Sequence, residues 1–176
     1  MADLKLAYGT ASDVTITLAS LASDTNLLAG RESTAVDNTS LLVLDYLVSG
    51  KITAGSAPTN TGSKTIEVWA IGSVDGTNWP SVFDGTDSDE TVTSADIKAS
   101  VCRFVAAMAC DTTADREYFF GPVSLAAAFG GTLPPKFVLF VVHNLRTSAT
   151  PAVGVALNST AGNHKITIQP VFQTVN

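Results

Sequence analysis

The residues best suited to chemistry are a run of acids, Asp84, Asp87, Asp89 and Glu90, two histidines, His143 and His164, and two tryptophans, Trp69 and Trp79. Calcium takes about six to eight oxygen ligands, and closely spaced acids can supply them. This run lacks the Asp-x-Asp-x-Asp-Gly order and the distal Glu of a calcium loop, so it reads as a solvated acidic connection. Zinc needs at least a third ligand besides the two histidines, and no His-x-His or Cys-x-x-Cys spacing is present. His143 and His164 therefore read as turn or interface residues at strand ends. A serine hydrolase would place a Ser beside His and Asp, and the Gly-x-Ser-x-Gly elbow is absent. The AFGGT stretch lacks the Lys-Ser/Thr pair of a phosphate loop. Asp45, Glu67 and Glu117 fall on different strands rather than facing each other across a cleft, as glycoside hydrolysis requires. No catalytic residue, cofactor or metal is expected. Trp69, on the outward face of its strand, is the candidate for stacking a sugar ring, with loop cover or a subunit contact as the plainer reading.

Composition sets the background. Only 15% of the 176 residues are charged while 45% are hydrophobic, against about 25% charged in ordinary soluble domains. Solvent-facing positions are thus filled by Ser, Thr, Ala, Gly and Asn, as in a protein packed among neighbours or a stable extracellular-type sandwich. The net charge of −6 disfavours nonspecific binding to nucleic acid or to an anionic membrane surface. MADLKLAYGTASD has no basic region leading into an apolar one, so no signal peptide is expected. No apolar run approaches the roughly 20 residues of a membrane span. Cys102 and Cys110 read as lying in one strand and on one face. Eight extended residues would hold them about 26 Å apart, beyond the ~7 Å limit for a disulfide. They read as small buried hydrophobes made in a reducing compartment.

The elements that would position these residues are strands. Val14, Ile16 and Leu18 alternate with threonines. LLVLDYLVSGKI from Leu41 has one face of Leu42, Leu44, Tyr46 and Val48 and another of Leu41, Val43, Asp45 and Leu47. Lys64 to Val74 puts Ile66, Val68, Ala70 and Val74 inward and Thr65, Glu67, Trp69 and Ile71 outward. Asp75–Gly76 signals a turn, and residues 75 to 98 read as an exposed connection pinned by Trp79 and Phe83. Val101 to Cys110 places Cys102, Phe104, Ala106 and Met108 on one face, and Glu117 to Gly121 is a short aromatic strand. Ser124 caps a short LAAAF helix that Gly130 ends. Strands at 136–145, 153–157 and 164–175 follow, with Pro170 arguing for an edge or a bulge. This pattern predicts an all-β, jelly-roll-like antiparallel β-sandwich of about eight strands with one short helix. Residues 1–12 read as an N-terminal arm that reaches a neighbour, and 13–176 as a single jelly-roll domain.

KFVLFVVHNL, residues 136 to 145, is apolar on both faces: Phe137, Leu139 and Val141 on one, Val138, Phe140 and Val142 on the other. A sandwich strand needs one apolar face. The second must be covered by a loop or helix of the same chain, or by another chain. The faces bearing Leu41, Val43 and Leu47, and Phe137, Leu139 and Val141, are accordingly the expected subunit contacts.

Several segments in order carry a resemblance: AGRES and AVDNTS (residues 29 to 40) before the LDYLVSGKI strand, VWA…DGTNWP…VFDGTDS from Val68, YFFGPVSLAAAFGGTLPPKF from Tyr118, VVHN from Val141 and LNSTAGNH from Leu157. From about residue 14 onward the chain resembles a family of small tailed-bacteriophage virion proteins, departing from it in a longer turn at Leu145 to Gly154. The resemblance implies a jelly roll on the outside of an icosahedral head, commonly a homotrimer. It would act as a decoration or cement protein whose partners are its own copies and the major capsid protein. It also implies a place on the virion surface after assembly in the host cytoplasm. A carbohydrate-binding adsorption module of a head or tail fibre is the alternative from another class, and a collar or tail-completion protein is a third.

Overall fold

The structure is a computed structural model that describes residues 4–40, 43–148 and 153–175. Two antiparallel sheets face each other as a jelly-roll-like sandwich. The first contains β1 (Leu4–Tyr8), β11 (Lys165–Val175), β5 (Asp45–Thr53) and β9 (Glu117–Ser124), in that order, with the two-residue β2 (Ser12–Asp13) also on β11. The second runs β7 (Asp89–Thr91), β3 (Ala29–Glu32), β10 (Lys136–His143), β6 (Thr65–Ser73), β8 (Arg103–Ala109), with β4 (Val36–Asp37) also on β10. Among the described residues, no helix is long and apolar enough to cross a membrane.

The main core lies between the sheets. Tyr46, Val48 and Ile52 of β5 and Ile166 and Ile168 of β11 meet Ile66, Val68 and Ala70 of β6 and Phe137, Leu139 and Val141 of β10. The alternation expected for β6 holds at Ile66, Val68 and Ala70. Val74 lies one residue past the strand and is 87% exposed rather than inward. The segment at 14–18 buries Val14 and Leu18 without joining a ladder, and 153–157 contributes only single bridges, Arg146 to Gly154 and Ala54 to Leu157. Strands not anticipated, among them β1, β3 and β7, occupy sheet positions instead. The LAAAF helix forms as α2 (Leu125–Ala128), capped by Ser124, whose Oγ accepts the Ala127 N–H at 3.0 Å.

β10 corrects the central expectation. It pairs with β6 over its whole length on one side and with β3 and β4 on the other. Every residue from Phe137 to Val142 is fully buried within this one chain. The second face is covered by the segment after β6. Phe83 meets Phe140 edge-on at 5.2 Å. Val92, Cys102 and Ile71 complete a second cluster with Val138, Phe140 and Val142, and Trp69, Trp79 and Ile97 pack against it. The connection at 75–98 is therefore pinned by Phe83 and Trp79, as expected, and it closes over β10 as a lid. Asp75 starts it, its Oδ1 accepting the N–H groups of Thr77 at 2.9 Å and Asn78 at 2.7 Å, with Gly76 at φ +72°. A helix not anticipated, α1 (Ala95–Val101), ends it, with Ser94 Oγ accepting the Ile97 N–H at 3.2 Å.

A β-bulge corrects the reading of β8. Val68 pairs with Ala106 but Trp69 pairs with Phe104, so Val105 is an extra residue. A bulge reverses which face later residues occupy. Cys102 consequently joins the outer cluster and Cys110 the main core, on opposite sides of the sheet, and Phe104 points outward at 52% exposure. Both thiols are free. Burial pushes Cys102 up to about 11 and Cys110 up to about 12. Thiolate is the reactive form, so both cysteines should resist a thiol reagent at pH 8 in the native protein and both should react in denaturant. Rapid native labelling of either would refute this placement.

Candidate functional site

The acidic run is a clasp. Arg31 of β3 donates from Nε to Asp87 Oδ1 at 2.6 Å, from Nη1 to Asp89 Oδ1 at 3.1 Å, and from Nη2 to the Asp87 carbonyl at 2.7 Å. Thr17 donates its N–H and hydroxyl to the same Asp87 carboxylate, at 3.0 and 2.6 Å. Burial raises the Asp87 pKa, but Arg31 and Thr17 outweigh it and hold the group below its ordinary value. Asp84 closes a local turn by accepting from Thr86 N and Oγ1, and Glu90 accepts from Ser88 Oγ at 2.9 Å. Among the described residues, no three His, Cys, Asp or Glu side chains gather as metal ligands.

Behind the clasp sits Glu32, fully buried, its carboxylate accepting the Gly85 N–H at 2.7 Å and the Asp84 N–H at 3.3 Å. Burial lifts it to about 7, helped by the charges of Asp84 and Glu90 and opposed by the two N–H bonds. Arg31 and Glu32 are adjacent in sequence and point to opposite environments. Nothing in the local sequence marks one as a surface clasp and the other as an interior group.

The histidines are separate structural residues. His143 ends β10 in the interior, its Nε2 lying 3.0 Å from the Leu21 carbonyl while Nδ1 has no hydrogen-bond partner among the described residues. Burial lowers it to about 4, against the opposing effect of that hydrogen bond. His164 Nε2 lies 2.8 Å from the Asn158 carbonyl, and its Nδ1 accepts the Thr53 N–H at 3.4 Å. Burial likewise lowers the His164 pKa. Among the described residues, neither ring has a hydroxyl or carboxylate as a hydrogen-bond partner.

Trp69 is already engaged. Its Nε1 donates to Glu67 Oε2 at 2.9 Å, the Lys98 ammonium lies 4.4 Å from its ring centre, and Phe104 packs edge-on at 5.3 Å. Lys98 of α1 is itself buried, donating to Glu67 at 3.1 Å and to the Leu27 carbonyl at 2.7 Å. A cation over one ring face occupies the surface a sugar would stack on. Trp69 thus fastens α1 to the sheet, and the loop-cover reading of this residue fits it.

The expected contact residues fare differently. Phe137, Leu139 and Val141 are core residues at 0% exposure and Val43 is buried, so none of these four offers a surface to a neighbour. Leu41 lies outside the described residues. Leu47 is half-buried on the face of β5 turned away from the core. What the chain leaves open lies elsewhere. On β9, Phe119 is 68% exposed beside a depression of about 380 Å³ lined by Gly50, Lys51, Gly121 and Lys165. At one end of the sandwich, Ser20, Ser56, Asp115 and Asn158 line a polar depression of about 510 Å³. On β1, Leu6 and Tyr8 are 65% and 63% exposed. Their alternation in LKLAY was the available signal, obscured because the whole first dozen residues read as an arm.

No family model, curated protein or solved structure matches this chain.

Proposed function

We propose that this chain is a non-enzymatic bacteriophage virion structural protein, a head decoration protein that attaches to the capsid surface in multiple copies and stabilises it. The observation that carries this reading is β1, a strand at the rim of a rigid sandwich with Leu6 and Tyr8 turned to solvent. Exposed apolar groups at a rim suit a protein that gains free energy by contact, since each 100 Å² of apolar area removed from water contributes roughly 2.5 kcal/mol before association costs. The clasp, the histidines and Trp69 are all committed to holding the fold. The resemblance to phage virion proteins supplies the virion setting and the homotrimer. With β10 sealed, the trimer rests on that resemblance alone.

The test is co-sedimentation with heads assembled without the protein. The chain should pellet with them and raise the temperature at which they release their genome. Replacing the exposed Leu6 and Tyr8 together by Ser should weaken attachment while leaving the unfolding midpoint within a few degrees, because neither side chain is part of the core. Failure of the intact chain to bind any head, at micromolar concentration and low salt, would end this reading.

A further inference from the structure

The outer edge of β1 is an open hydrogen-bonding edge whose own sequence is complementary to itself. We infer that two copies of this chain join through it, β1 against β1 in antiparallel register, so that the first sheet runs without a break from one copy into the next.

The backbone phase follows from the ladder. The Gly9 N–H donates to the Pro170 carbonyl at 2.8 Å, and the Val171 carbonyl turns the other way to accept from Leu44 at 2.9 Å. Bonding direction alternates residue by residue along an antiparallel strand. Lys5 and Ala7 share the phase of Gly9 and point into β11, opposite Thr174 and Phe172. Leu4, Leu6 and Tyr8 therefore turn their N–H and C=O groups to the outer side. Among the described residues, no strand lies there. The edge lacks the usual safeguards, having no proline, no bulge and a single charge, Lys5.

A second copy fits this edge better than an arbitrary strand does. A twofold axis at Leu6 sets Leu6 opposite Leu6 of the second copy and Tyr8 opposite its Leu4. Those are the residues with outward backbone groups, so each pair can exchange two hydrogen bonds. The exposed Leu6 and Tyr8 side chains share one face of the strand, so Leu6 meets Leu6 of the second copy on the axis with the partner's Tyr8 diagonal to it, and apolar cross-strand contacts of this kind favour pairing. The same register puts Lys5 opposite Ala7 of the second copy, so the two lysines never face each other. A shift by one residue would place apolar residues on opposite faces and lose the match. Five residues a side make a small contact of the weak class, which copies crowded on a common surface would hold firmly and dilute copies would not.

Sedimentation equilibrium of the intact chain, from about 10 μM to about 1 mM, tests this alongside amide hydrogen exchange at both ends of the range. The weight-average mass should rise toward twice the chain mass. The Leu6 and Tyr8 amides should gain protection at least tenfold with concentration, while Lys5, Ala7 and Gly9 stay protected throughout. Leu6→Pro removes one outward N–H without touching the β11 ladder, and Leu6→Lys sets like charges opposite each other on the axis. Both should remain monomeric with an unchanged unfolding midpoint. Concentration-independent exchange at Leu6 and Tyr8, or association of Leu6→Pro equal to that of the parent chain, overturns the inference. It stands apart from the capsid reading: a chain that pairs in this way but ignores phage heads keeps the one and loses the other.

Discussion

Phe140→Ala is expected to cost about 3–5 kcal/mol of folding stability, as truncating a fully buried phenylalanine does. The figure matters because of where Phe140 sits. It lies on the face of β10 away from the main core, where a plain sandwich would meet water. Its burial depends on the lid, chiefly on Phe83 at 5.2 Å with Val92 and Cys102 around it. Without the lid in place, the same substitution would cost under about 1 kcal/mol, the usual range for a surface position. A denaturant titration distinguishes these outcomes. A double-mutant cycle with Phe83→Ala should give a coupling of about 0.5–1.5 kcal/mol for the edge-on aromatic pair. Phe83→Ala should also make the protein prone to aggregate, because loosening the lid uncovers Val138, Phe140 and Val142 as a contiguous apolar patch. Zero coupling, with each single loss below 1 kcal/mol, would mean that the outer face of β10 is not covered by its own chain. It would then become available again as a contact between subunits.

The second large effect is a cancellation that appears only when one partner is removed. Glu32 has a folded pKa near 7 against an ordinary 4.5. The folded state thus holds a proton that the unfolded state has released, and stability falls as pH rises from about 4.5 to 7. His143 has a folded pKa near 4 against an ordinary 6.5. The unfolded state gains a proton that the folded state refuses, so stability falls as pH drops from 6.5 to 4. Each shift of about 2.5 units corresponds to about 3 kcal/mol, with opposite signs over the shared window. His164, also lowered, adds to the His143 side. The intact protein should therefore show a shallow dependence between pH 4.5 and 6.5, tilted toward greater stability at the higher pH. Glu32→Gln keeps an acceptor for the Gly85 N–H and removes the acid. Its stability should climb by up to about 3 kcal/mol across the window. His143→Gln keeps a donor for the Leu21 carbonyl and should reverse the slope. Thermal midpoints at half-unit pH intervals read both. Two variants with the same slope as the parent would show that neither group titrates from the interior.

Much of the fold is legible along the chain because strand alternation is a local property. The inward set Ile66, Val68, Ala70, the turn at Asp75 and the cap at Ser124 all follow from residues within a few positions of each other. The phase of β8 was not legible, because a bulge at Val105 leaves no mark in VCRFVAAMAC beyond an unremarkable apolar run. The helix α1 is seven residues long, with too few turns for an apolar period to show. The role of the acids as a clasp was not legible, because it depends on Arg31 and Thr17, which lie 56 and 70 residues away from Asp87. Trp69 could not be assigned from its neighbours in sequence, since Lys98 reaches it from another element.

Residue types and their alternation alone require that this chain builds an antiparallel sandwich, that residues 136–145 lie at its centre, and that both faces of that strand are hidden. They do so because side-chain period and hydropathy act residue by residue. What does the hiding is settled by long-range packing. A polar-looking segment of scattered Trp, Val, Phe and Ile side chains has no periodicity of its own, and its apolar groups converge only when the chain folds back over β6 and β10. The choice between covering by self and covering by another copy turns on where that segment lands. The surface left for contact thereby moved from the middle of the sandwich to its rim at β1.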